Sequence, residues 1–94
     1  MRFEWDEGKR QTVKREHGID LADVPRVFDS PVLEFYDMEH SQTEDRWRTL
    51  GLLDGRVVVI IYTYRGEIVR LITARRAEPE EALLYFRQML GESD

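Results

Sequence analysis

The chain has 94 residues, no cysteine and a net charge of −5, with 35% charged and 41% hydrophobic residues. That length supports one hydrophobic core rather than two, so a single domain over 1–94 is expected. The missing cysteines exclude a disulfide framework and thiolate metal sites and fit a reducing cytoplasm, while the acidic balance argues against bulk electrostatic binding to nucleic acid. Charges alternate from Met1 to Arg10 without an apolar core, and the longest apolar run, Val57 to Tyr62, is far too short for a membrane span. No signal peptide and no membrane association are therefore expected.

Phe3 to Trp5 reads as a short first strand. Asp6 then caps a helix to about His17, stopped by Gly18, with Val13 its one large apolar residue. Asp20 or Asp23 caps a second, short helix with Leu21, Val24 and Phe28 at helical spacing, and Ser30-Pro31 ends it. Pro25 lies inside that segment and removes a hydrogen bond if Asp20 is the cap. Val32 to Met38 is a strand, Glu39 to Asp45 a polar loop, and Arg46 to Leu53 the next strand. Asp54-Gly55 is a strong hairpin signal leading into Arg56–Thr63, and Glu67–Arg75 returns through Tyr64-Arg65-Gly66. Pro79, with Glu80 and Glu81 behind it, starts a last helix. Its Ala82, Leu83, Phe86, Met89 and Leu90 form an apolar stripe ended by Gly91. The order β-α-α-β-β-β-β-α describes an α+β fold with a mainly antiparallel sheet.

Turn geometry predicts which face each strand residue occupies. A two-residue Asp54-Gly55 turn sets Leu52 opposite Val57, Leu50 opposite Val59 and Trp47 opposite Tyr62. In the second hairpin a three-residue loop with a left-handed Gly66 avoids placing Arg65 at positive φ. Leu50, Leu52, Val57, Val59, Ile61, Val69 and Leu71 then share the face that beds the helices. Trp47, Thr49, Ile60, Tyr62, Ile68, Arg70 and Arg76 lie on the other, open face. A slip of one residue reverses this for the last strand.

An arginine inside an apolar strand is costly unless an anion meets it, and Arg70 stands among Ile60, Ile68 and Ile72. Two readings stay open for it, a structural ion pair or a phosphate contact. Arg75 and Arg76 leave the same strand toward opposite faces. Lys9, Val13 and His17 share one helix face, which suits a phosphate anchor and an acid–base group as well as a helix lying shallowly on the sheet. Trp47 and Tyr62 on an open face suit stacking on an unpaired base. Asp37, Glu39 and His40 match no metal-ligand spacing. Neither a nucleophile triad, a phosphate-cradling glycine loop nor a dinucleotide fingerprint is present.

Phe3-Glu4-Trp5-Asp6, Lys9 and His17-Gly18 together resemble the opening signature of the BrnT toxins of type II toxin–antitoxin pairs. Val27-Phe28-Asp29, Arg46 followed by Gly51, and Gly55-Arg56-Val57-Val58-Val59 extend the resemblance. So do Tyr62-Thr63, Arg65-Gly66, Ile72-Thr73-Ala74-Arg75-Arg76-Ala77, and Glu81 with Tyr85. The likeness spans nearly the whole chain. It implies a RelE-like fold and a metal-independent endoribonuclease that needs no cofactor. It also implies a BrnA-like ribbon-helix-helix antitoxin as partner in a hetero-oligomer, touching DNA only through that antitoxin. Carried onto this chain, Lys9, His17, Arg70 and Arg75 become the catalytic set, and Arg46, Trp47, Tyr62 and Arg76 the RNA contacts. Family members usually have Asn at the position of Val13 and Lys at that of Glu16, so one hydrogen-bonding group is lost here and one charge reversed. These departures and the −5 charge motivate a rival reading, a non-catalytic toxin that serves as an antitoxin-binding co-repressor. Poisoning of another target, such as a topoisomerase, is a third.

Overall fold

A computed structural model describes residues 1–91. Strand β1 (Arg2–Glu4) leads into helix α1 (Glu7–His17) and then a 3₁₀ helix (Leu21–Asp29). Strands β2 (Leu33–Tyr36), β3 (Trp47–Leu53), β4 (Arg56–Arg65) and β5 (Ile68–Arg76) follow, and α2 (Pro79–Met89) closes the chain's described part. The expected α+β order is therefore present. The five strands form one sheet in the order β1-β5-β4-β3-β2, antiparallel except for the parallel β1–β5 pair. Among the described residues no helix is long and apolar enough to cross a membrane.

Local chemistry explains the helix ends. The Asp6 carboxylate accepts the Lys9 amide at 2.9 Å, and Gly18 ends α1 at φ 68°. Asp20, not Asp23, caps the next helix by accepting the Ala22 amide at 2.9 Å. That helix is 3₁₀ rather than α. Leu21, Val24 and Val27 are its fully buried residues, a spacing of three that matches three residues per turn, and Pro25 lies within it.

The first hairpin has the expected register, with Leu52 opposite Val57, Leu50 opposite Val59 and Trp47 opposite Tyr62. Asp54 and Gly55 take φ 52° and 81°, as a type I′ turn requires. The second hairpin differs from expectation. Its turn has two residues, Gly66-Glu67, with Arg65 paired to Ile68 and Gly66 at φ 62°. A glycine at the first turn position relieves Arg65 of positive φ as well as a longer loop does. Register consequently slips by one, and Val69 and Leu71 join Tyr62 and Ile60 on one face. A β-bulge between the Tyr62–Leu71 and Ile61–Thr73 pairs then inserts Ile72 and resets the alternation.

Both faces of the sheet are covered, which overturns the expectation of an open Trp47/Tyr62 face. Against that face, Val13 of α1 and Leu21, Val24 and Val27 of the 3₁₀ helix pack onto Val58, Ile60, Tyr62, Val69, Leu71 and Ala74. On the opposite face Leu50, Val57 and Val59 meet α2 through Tyr85, with Ala82 and Met89 beside it. The buried side of α2 is thus Ala82, Tyr85 and Met89, while Leu83, Phe86 and Leu90, expected in the stripe, are exposed. Tyr85 is held down further by a 3.0 Å bond from its hydroxyl to the Pro31 carbonyl.

Two close contacts fix the first layer on the sheet. A Cβ at Gly51 would lie 2.3 Å from Val27 Cγ1, so the 3₁₀ helix sits where a side chain would otherwise stand. Arg10 binds Asp20 through Nε at 2.7 Å and Nη2 at 3.1 Å, tying α1 to the start of the 3₁₀ helix. Gly51→Ala is expected to cost about 1–3 kcal/mol by overpacking, measured as a lower urea midpoint with an unchanged slope. The Asp20 carboxyl is held at about 2, below its ordinary 3.8, first by the Arg10 hydrogen bond and next by the Ala22 amide. A depressed carboxyl stabilises fully above its unfolded value and loses that contribution as pH falls through the folded one. Melting temperature is therefore expected to drop from pH 3.8 toward about 2, and Asp20→Asn to flatten that part of the profile.

Candidate functional site

Side chains alternate along a strand, so Arg70 and Arg75, five residues apart, should face opposite ways. The Ile72 bulge cancels one step. Arg70 pairs with Thr63 and Arg75 with Val59, both on the α2 face, while Arg76 pairs with Val58 on the α1 face. The expectation that Arg70 and Arg76 share a face is thereby corrected.

Each of the two arginines meets a carboxylate of the protein itself. Arg70 Nη1 donates to Glu4 Oε2 at 2.8 Å, across the parallel β1–β5 pair. Arg75 holds Glu81 in a bidentate fork, Nη1 to Oε1 at 2.8 Å and Nη2 to Oε2 at 3.0 Å. Glu81 also accepts the Glu78 amide at 2.8 Å at the start of α2, and Arg48 approaches it to 3.6 Å. The Arg75 hydrogen bond holds the Glu81 carboxyl below its ordinary range. Of the two readings left open for Arg70, the structure shows the structural ion pair, and Arg75 is paired in the same way.

The pairing leaves donors over. Of the five N–H groups of a guanidinium, Arg70 commits one and Arg75 three, the third to the Arg76 carbonyl at 3.2 Å. Two cavities lie beside them. The larger, about 480 Å³, has Arg46, Arg48, Thr73, Arg75, Asp37 and His40 in its wall. The smaller, about 190 Å³, is walled by Lys9, Arg46, Arg65 and Arg70 with Asp6 and Glu44. They meet at Arg46 and Ile72. Six cationic side chains, Lys9, Arg46, Arg48, Arg65, Arg70 and Arg75, line the pair with Asp6, Asp37, Glu39 and Glu44, and Glu4 and Glu81 behind Arg70 and Arg75 bring the carboxylates to six as well. Among the described residues Arg46 Nε is buried there without a hydrogen-bond partner, and its Nη2 reaches Glu44 only at 3.7 Å. A buried donor left unpaired costs roughly 1–3 kcal/mol and favours any acceptor that enters beside it.

The helix brings some expected residues here and carries others away. Lys9, in the first turn of α1, lines the smaller cavity with Arg70. His17 stands eight residues further on, about 12 Å along the axis, exposed and next to Gly18. Gly18 and Arg76 line a third cavity of about 330 Å³ with Arg56 and Asp54. The structure thus groups Lys9, Arg46, Arg70 and Arg75, and sets His17 and Arg76 apart from them.

Tyr62 is corrected from a stacking surface to a core residue. It is fully buried, with its ring edge-on to Phe28 at 5.6 Å. Its hydroxyl meets Thr49 at 2.6 Å and also donates to Glu34, and burial pushes the phenol well above its ordinary range, so it stays neutral. Trp47 is half-buried between Tyr36 and Tyr64, at ring distances of 5.3 and 6.3 Å. Val13 is buried against the sheet and Glu16 is exposed on α1, so neither departure from the resembled pattern lies in the wall of the two cavities. Sequence reasoning gave no site role to Arg48, Arg65, Glu81 or the Asp37–His40 pair. Strand alternation from Leu50 could have placed Arg48 on the α2 face; nothing local announces the rest.

A five-stranded mixed sheet between helices, with an arginine-lined cleft along the bulged strand, defines a small α+β protein. Residues 5–81 match the family described as the ribonuclease toxin, BrnT, of type II toxin–antitoxin systems, and the chain belongs to that family. A toxin of this class has an antitoxin as its partner. No curated protein matches the chain.

Glu81→Ala removes the α2 amide acceptor and the partner of Arg75 together. It is expected to cost about 1–2 kcal/mol in urea unfolding, and Glu81→Gln less, because the amide oxygen still accepts.

Proposed function

We propose that the protein is a metal-independent endoribonuclease that arrests growth and is neutralised by a ribbon-helix-helix antitoxin. The observation that carries this reading is the convergence of Lys9, Arg46, Arg70 and Arg75 on two adjoining cavities, with guanidinium donors still unused. Cleavage by the neighbouring 2′-hydroxyl requires a phosphodiester to be held and the charge growing on its oxygens to be stabilised, which fixed cations supply. Lys9 and Arg70 would hold one phosphate, Arg75 and Arg48 the adjoining one, and Arg46 would touch both. Glu4 and Glu81 keep the forks oriented in the absence of RNA, and the weakly hydrated guanidinium readily exchanges or shares such partners. Family membership supports a ribonuclease activity and an antitoxin partner.

The internal pairing of Arg70 and Arg75 favours one rival, a binding module that no longer cleaves and acts as co-repressor with its antitoxin. The two readings part in a direct assay. Purified protein is expected to cleave RNA in EDTA, with Arg75→Ala and Lys9→Ala each slowing it at least about tenfold, since loss of one charge-stabilising donor typically costs about 10²–10³. Unaltered rates in both variants would remove the site from the reading. Intact RNA, together with harmless expression in the absence of the antitoxin gene, would establish the co-repressor instead.

A further inference from the structure

We propose that His40 is the proton-accepting catalytic residue of this cleft, oriented by Asp37; the inference rests on the ribonuclease reading above. His40 Nδ1 lies 2.9 Å from Asp37 Oδ2. In the neutral tautomer whose Nδ1 donates to the Asp37 carboxylate, Nε2 carries the free lone pair. Asp37 is buried, while the imidazole is 56% exposed and lines the larger cavity with Arg46, Arg48 and Arg75. Across the linings of the two cavities it is the one imidazole.

The loop that carries it is pinned. The Asp37 amide donates to the Arg46 carbonyl at 2.9 Å, and Ser41 Oγ donates to the Asp37 carbonyl at 2.5 Å. Ser41 Oγ also accepts the Arg46 amide at 2.9 Å, and Thr63 Oγ1 reaches the Asp45 carbonyl at 2.6 Å. An acid–base side chain must be held within reach of its proton, and this loop is closed on itself and on β4. A carboxylate on one imidazole nitrogen, with cations in the wall of the same cavity, suits proton abstraction beside a phosphodiester.

The step balances without a further reactant. Nε2 of His40 takes the 2′-hydroxyl proton as the 2′-oxygen bonds to phosphorus. The bond from phosphorus to the 5′-oxygen breaks, and that oxygen takes a proton from water. The imidazolium, stabilised by Asp37, returns its proton to solvent. The products are a 2′,3′-cyclic phosphate and a 5′-hydroxyl end.

The test compares wild type, His40→Ala, His40→Gln and Asp37→Asn on a short RNA in EDTA, with RNA affinity measured in parallel. His40→Ala and His40→Gln are expected to lose about 10²-fold or more in rate while binding RNA within about threefold of wild type. Added imidazole is expected to restore cleavage to His40→Ala and to leave Arg75→Ala unimproved. Asp37→Asn is expected to lose at least about tenfold, with its melting temperature near that of wild type. Undiminished cleavage by both His40 variants overturns the assignment while the ribonuclease reading stands. A slow His40→Ala that imidazole does not rescue and that binds RNA poorly makes His40 a structural clip, which also overturns it. Wild-type protein that leaves RNA intact brings down the ribonuclease reading itself, and this inference with it.

Discussion

One extra residue in β5 organises the cleft. A regular strand would send Arg70 and Arg75 to opposite faces of the sheet, and no helix packing could reunite them. Ile72, inserted where Tyr62 pairs with Leu71 and Ile61 with Thr73, reverses the alternation between the two arginines. Both then point to the α2 side, Arg76 points to the α1 side, and Ile72 itself forms the wall shared by the two cavities. Bulges bend and twist the strand that carries them, which helps to open a concavity in a sheet otherwise covered on both faces.

The arginines then have to be tolerated in the folded protein before any ligand arrives. A guanidinium on a half-buried sheet face loses solvation, and the chain offsets that loss with carboxylates from its two ends. Glu4 comes from β1, alongside Arg70 in the parallel pair, and Glu81 from the first turn of α2, where it also accepts the Glu78 amide. Because Glu81 is shared between a helix start and the Arg75 fork, the position of α2 and the aim of that arginine are coupled. The acidic residues that make the whole chain negative are thus partly the partners of its strand arginines.

Much of the frame was legible residue by residue. Asp6 and Gly18 bounded α1, and Asp54-Gly55 set the β3–β4 register, because each acts through its own backbone angles and hydrogen bonds. Gly66 was read correctly as left-handed, yet the turn around it was not. A glycine at positive φ serves both a two-residue turn and a three-residue loop, so the residue alone leaves the parity of β5 undecided. The apolar stripe of α2 misled for a related reason. Leu83, Phe86 and Leu90 are as apolar as Ala82, Tyr85 and Met89, and which set is buried depends on where Glu81 and Tyr85 are anchored.

The sequence by itself determined the element order, the first hairpin and its register, the caps of α1 and the family, together with the inventory of cations along β5. These follow from short-range stereochemistry and from residue patterns that survive unfolding. Only the tertiary structure decided that Arg70 and Arg75 share a face, that Tyr62 is core, and that His40 rather than His17 stands beside the arginines. Those facts rest on a bulge, on the covering of both sheet faces and on the lie of α1. Each is set by contacts between residues far apart in the chain, which no local pattern encodes.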